Sequence, residues 1–158
     1  MSVRKTDRSL SGIEFLDNAV KIYKLTLKIC MKMPKRYTYL ILQPILSLAG
    51  ETMDYVKKGN SIFVNPGINI HIDYTERRKC FLLARSSLQA LITRFSVLIE
   101  EEEFTSFVDN KGNNYRINMG ELHELDKCIR KELILLNGIL KKDKERYEKE
   151  LDKLNNSK

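Results

Sequence analysis

Helix breakers are scarce in this 158-residue chain: seven glycines and three prolines are too few for a collagen-like or Pro/Gly-rich disordered protein. Its three cysteines, Cys30, Cys80 and Cys128, are odd in number, far apart and without a C-x-x-C pair. That pattern builds no disulfide framework and matches a reduced, cytoplasmic setting. The only two histidines, His71 and His123, have no metal-ligand spacing with cysteine or carboxylate. Unbroken apolar runs such as 39–42 and 97–99 fall far short of the roughly 20 residues of a membrane span. Glu14, Asp17 and Lys21 interrupt the segment where a signal peptide would need its apolar centre. Phosphate-cradling loops, nucleophile elbows and dinucleotide fingerprints are missing. Glu100 to Glu103 imitate a carboxylate cluster, yet consecutive residues on a helix point in different directions and cannot converge on one substrate. The expectation is a non-enzymatic cytoplasmic protein with no cofactor, no metal and no membrane segment.

What is present is a balance of 42% hydrophobic and 31% charged residues, enough at this length for one self-supporting domain. Apolar residues recur at helical spacing over 11–33, with Ser11 and Glu14 in a capping-box pattern. Pro34 favours the first turn of a second helix over 35–58, in which Pro44 predicts a kink. Ile68, Ile70 and Ile72 then alternate with Asn69 and His71, and with the Asn65-Pro66-Gly67 turn they read as a short hairpin or ordered loop. Asp73 or Thr75 caps a third helix reaching about residue 103. The stretch 104–118 is a second hairpin, turning at 109–114. From 119 to 155 leucines step by three and four, giving a long amphipathic helix whose end, after Leu140, is charged around a thin Tyr147, Leu151, Leu154 seam. The fold expected is all-α: a flexible basic segment 1–10, an up-and-down four-helix bundle over 11–140 with two hairpin-like insertions, and a charged helical extension 141–158.

Charge is distributed unevenly. The net +7 comes almost wholly from residues 1–58, with 11 basic against 5 acidic residues. At about 100° per residue, Lys21, Lys24, Lys28 and Lys32 fall in one narrow sector of the first helix, and Lys35 and Arg36 follow at the turn. Like charges at this spacing cost helix stability, a cost that an anionic partner would offset. Such a lysine rail suits a phosphate backbone, with Tyr37 and Tyr39 able to stack on bases.

The first and third helices each show two apolar stripes where one core-facing stripe is usual in a bundle. On the first, Leu16, Ala19, Val20, Tyr23, Leu27 and Cys30 form one stripe and Phe15, Ile22, Ile29 and Met33 a second beside it. On the third, Phe81, Leu88, Ile92 and Ile99 form the second. Large exposed apolar patches are rare on monomers, so the extra surface is covered by the two hairpins of the same chain or by a neighbouring subunit; the second is favoured, and Phe15, Ile22, Ile29, Phe81, Leu88, Ile92 and Ile99 are read as an oligomer interface.

Helix order and the K-x-M-P-K-R-Y-T-Y ending at Lys32 to Tyr39 resemble the four-helix-bundle superfamily of rRNA intervening-sequence proteins and the diversity-generating retroelement accessory protein Avd. The resemblance covers about 14–58 and 75–140, and Lys35 and Arg36 match the family's basic turn. It implies a ring-like homopentamer that binds nucleic acid and, for Avd, a reverse transcriptase. The reading is a non-enzymatic oligomeric RNA- or DNA-binding accessory protein, with the resemblance to Avd implying assistance to a reverse transcriptase. The alternative is a helical protein–protein interaction or assembly module that does not touch nucleic acid.

Overall fold

The computed structural model describes residues 11–64, 69–100, 106–108, 112 and 114–156; the basic segment 1–10 lies outside them. Four long helices dominate: α1 (Ser11–Met31), α2 (Gln43–Ser61), α3 (Ile70–Glu100) and α4 (Met119–Asn156). Between α3 and α4 a small antiparallel ribbon joins β1 (Ser106–Val108) to β2 (Asn114–Arg116), with Phe107 in register with Tyr115. Gly112 takes φ +80° in its turn, where a side chain would be strained. Apart from this ribbon the fold is all-α.

Side-chain pairs fix the helix directions. Glu14 meets Lys131 at 2.7 Å and Lys28 meets Glu121 at 2.9 Å, so α1 and α4 run antiparallel. Arg77 with Asp143 and Arg85 with Asn137 give the same for α3 and α4. Gly59 against Phe81, and Ser87 donating to Glu51, give it for α2 and α3. α1 also packs on α2, so each helix has two main neighbours around one core.

That arrangement corrects the interface reading. Phe15, Ile22, Ile29, Phe81 and Leu88 are buried inside the single chain, because α1 and α3 each lie between two helices and need a wide apolar arc. Ile92 is half-buried against the same core, and only Ile99, at 41% exposed, projects. Leu16, Val20, Tyr23 and Leu27 of the other stripe are half-buried flanks of the arc.

Three boundaries also differ. Pro44 does not kink a long helix; α2 begins beside it, after a 3-10 turn (Lys35–Tyr37) and a π-helical turn (Thr38–Leu42). A proline N has no hydrogen to donate, so it is accommodated in the first turn of a helix. Ile70 and Ile72 alternate as a strand would, yet both lie in α3; Ile62 to Val64 are extended without strand pairing, and residues 65–68, with the expected turn, lie outside the described residues. Thr75 does not cap α3 but donates to the His71 carbonyl within it. Glu14, expected to close a capping box, reaches Lys131 instead; the Ser11 side chain and Glu101 to Glu103 lie outside the described residues.

α3 contains an 18-residue window with mean hydropathy 1.3, which by length and composition could cross a membrane; counting unbroken apolar runs missed it. In the fold its Phe81, Ala84, Leu88, Leu91 and Phe95 supply the core. All three cysteines are buried, and burial pushes the Cys30 thiol up to about 11, the environment of a small apolar group in a core.

Candidate nucleic-acid interface

α1 is unbroken from Ser11 to Met31, so Lys21, Lys24 and Lys28 do share a flank, with Lys32 just past its end. Along that flank lies α4, which brings two carboxylates. Lys21 Nζ is 2.7 Å from Glu124 Oε1. Lys28 and Lys32 converge on Glu121 at 2.9 and 2.8 Å. The hydrogen bonds from Lys32 and Lys28 hold the Glu121 carboxyl below its usual range, and those with Glu124 and Glu121 raise Lys21 and Lys28. The rail is therefore partly neutralised by a neighbouring helix, which projection along α1 alone does not reveal.

Two members stay unpaired among the described residues: Lys24 and Lys35 are exposed and have no ion-pair partner. The Arg36 side chain lies outside the described residues. Exposed ion pairs contribute little stability and exchange readily with other ions. A single carboxylate shared by Lys28 and Lys32 also leaves positive charge in excess. Basic character thus persists, weighted toward the end of α1 and the turn after it.

At that turn the backbone widens. The Gln43 N–H reaches back to the Thr38 carbonyl, a five-residue step in place of four. Tyr39 and Leu40 project from this turn, 81% and 82% exposed, while Tyr37 is half-buried against the core. Such widened turns recur at functional sites. Beside it runs a groove of about 350 Å³ lined by Leu40, Ile41 and Ile45 and, from α3, Thr93, Arg94, Val97 and Leu98. The structure thus brings basic and aromatic groups together at the 35–40 turn.

Two polar constellations escaped the sequence reading. Inside the α1–α4 contact, Asn18 Nδ2 donates to Glu132 Oε2 at 2.7 Å and to the Cys128 carbonyl at 2.8 Å. Asn18 and Glu132 sit where apolar residues belong in the helical pattern, between Phe15 and Ile22 and between Ile129 and Leu136, and that mismatch was the available signal. At the end of the fold away from the 35–40 turn, Arg77 bonds Asp143 at 2.6 Å and the carbonyls of Gly59 and Ile62 at 2.9 Å. It borders a cleft of about 490 Å³ that includes Phe63, Arg146 and Tyr147. No group of three His, Cys, Asp or Glu side chains suited to a metal occurs among the described residues.

The chain matches no family model, no curated protein and no solved structure.

Proposed function

We propose that the protein is a non-enzymatic accessory module that holds single-stranded RNA or DNA at the helix break around residues 35–40, and not along the whole first helix. The observation that carries this is the 81% exposed Tyr39 ring four residues from the unpaired Lys35, with Arg94 on the adjoining groove. An exposed ring stacks on any base, for about 1–3 kcal/mol each, and ammonium groups track phosphates without reading sequence. Lys28 and Lys32 extend the path, since both ammonium groups are exposed and share a single carboxylate, Glu121, which leaves positive charge for a phosphate. The antiparallel helix pairs support an up-and-down four-helix bundle, and the Lys32 to Tyr39 turn is the piece that supports kinship with the Avd and intervening-sequence proteins. Service to a reverse transcriptase is part of this proposal. The groove favours a second reading, a helical protein–protein module.

Fluorescence anisotropy with labelled oligo-U, oligo-dT and a duplex, at about 50 and 200 mM salt, tests it. Tyr39→Ala is expected to weaken single-strand binding and spare any duplex binding. Lys35→Glu is expected to weaken all binding and flatten the salt slope, with Lys57→Glu on α2 as a control of equal charge change. No binding at the lower salt, or binding indifferent to Tyr39 and Lys35, refutes the reading.

A further inference from the structure

We infer that copies of this chain associate head to tail, the last turns of α4 from one copy lying in the groove between the 38–42 turn and α3 of the next. The groove has an apolar floor of Leu40, Ile41, Ile45, Val97 and Leu98, with Arg94 at its edge. Leu40 and Val97 are mostly exposed, so the floor is open to an incoming side chain.

The occupant is read from α4. Tyr147, Leu151 and Leu154 step by four and three along one side of it, the spacing of a helix-packing seam. Tyr147 is satisfied within its own chain: its ring stacks on Tyr74 with centroids 4.2 Å apart, and its hydroxyl lies 2.6 Å from His71 Nδ1. Beyond it the cover given by the described residues thins, with Leu151 half-buried and Leu154 45% exposed. On the same segment Glu148 pairs with Lys144 at 3.6 Å and Lys153 with Glu150 at 2.6 Å, while Asp152 is exposed. An apolar seam flanked by the exposed Asp152 complements an apolar groove edged by Arg94.

Topology makes the contact intermolecular. α4 runs antiparallel to α3, so Leu154 lies toward the end where α3 begins, whereas the groove lies where α3 ends. α3 has 31 residues, and at 1.5 Å per residue the two ends are on the order of 40 Å apart. A tail therefore cannot reach its own groove. Joining unlike surfaces gives a heterologous contact that repeats into a closed ring or an open chain. A contact of about two helical turns is below standard interface size, so assembly is concentration-dependent.

Sedimentation velocity on the full chain, without nucleic acid, from about 10 µM to 1 mM tests this independently of the proposed function. Leu40→Glu removes the groove and Leu154→Glu the tail; both side chains are exposed, and circular dichroism checks that each variant is folded. Wild type is expected to grow past a dimer with concentration and each variant to stay monomeric. An equimolar mixture of the two is expected to form a dimer and stop there, because one copy keeps an intact tail and the other an intact groove. A wild type that stays monomeric, a variant that still assembles, or a mixture that stays monomeric overturns the inference. A monomeric wild type would leave the groove to a helix of another protein.

Discussion

Replacing Glu132 by glutamine is expected to remove a pH dependence of stability built into the α1–α4 contact. Glu132 is 0% exposed. One oxygen accepts from Asn18, and the other, Oε1, is buried with no hydrogen-bond partner. Burial is the main reason its carboxyl rises from 4.5 to about 7; the Asn18 hydrogen bond and Lys131 oppose the rise and Glu14 adds to it. Below the unfolded value both states are protonated and burial is tolerated. Between there and about 7 the unfolded chain releases its proton while the folded chain keeps it, so stability falls as pH rises. Above that window the full penalty applies, on the order of 3 kcal/mol. Glutamine keeps an acceptor for Asn18 and never ionises. At acid pH the two proteins are expected to agree within about 1 kcal/mol, because a protonated carboxyl would also carry an O–H without an acceptor. At about pH 8 Glu132→Gln is expected to be more stable by about 2–3 kcal/mol, or roughly 5–10 °C in Tm. Urea unfolding followed by circular dichroism at several pH values measures this, with m expected to stay constant. The wild-type minus variant difference isolates Glu132 from every other titrating group. A difference independent of pH would refute the reasoning.

Two glycines in helices make opposite predictions. A Cβ on Gly59 would lie 2.8 Å from the buried Phe81 ring, so Gly59→Ala is expected to lose about 1–3 kcal/mol by overpacking. Gly138 has open space around it, and Gly138→Ala is expected to gain about 0.5–1 kcal/mol through helix propensity; thermal melts of the pair decide both. Arg77→Lys is expected to lose about 2–3 kcal/mol, since an ammonium cannot serve Asp143 and the Gly59 and Ile62 carbonyls from the guanidinium's planar fork. Urea midpoints at low and high salt check this, and a loss that vanishes with salt would mean the pair is solvent-screened.

The four helices were legible because their apolar periodicity is long and strong, and the second ribbon because the Asp109-to-Asn114 stretch is rich in turn residues. Ile70 and Ile72, assigned to a short hairpin or ordered loop, belong to α3: they alternate with polar residues over too few positions to separate a strand from a helix start, and α3's packing on α2 and α4 chose the helix. The double stripes on α1 and α3 were correctly seen but wrongly assigned, since periodicity reports how wide an apolar arc is and not which molecule covers it. The basic flank shows the same limit. Spacing places Lys21, Lys24, Lys28 and Lys32 together, but Glu121 and Glu124 reach them only through the antiparallel return of α4, roughly a hundred residues on in a chain whose contacts no local pattern encodes.

What the return of α4 does to the flank decides where a polyanion can best be met. Glu121 and Glu124 hold Lys21, Lys28 and Lys32 against the body, and a phosphate that engaged them would have to displace a carboxylate already in place. Lys24 and Lys35 present no such competition. Of these two, only Lys35 lies within four residues of a largely exposed ring, that of Tyr39, whose exposure follows from Pro44. Lacking an N–H, Pro44 restricts where α2 can begin, and the turn before it is wound with five residues per bond. Tyr39 and Leu40 leave the helix surface at this turn instead of joining the core, as their neighbours Ile41 and Leu42 do. The same backbone step that frees Tyr39 for stacking also opens the Leu40 side of the groove. Tyr39→Ala and Leu40→Glu therefore separate two roles of one turn: the first is expected to change nucleic-acid affinity without changing assembly, the second to change assembly in the absence of any nucleic acid.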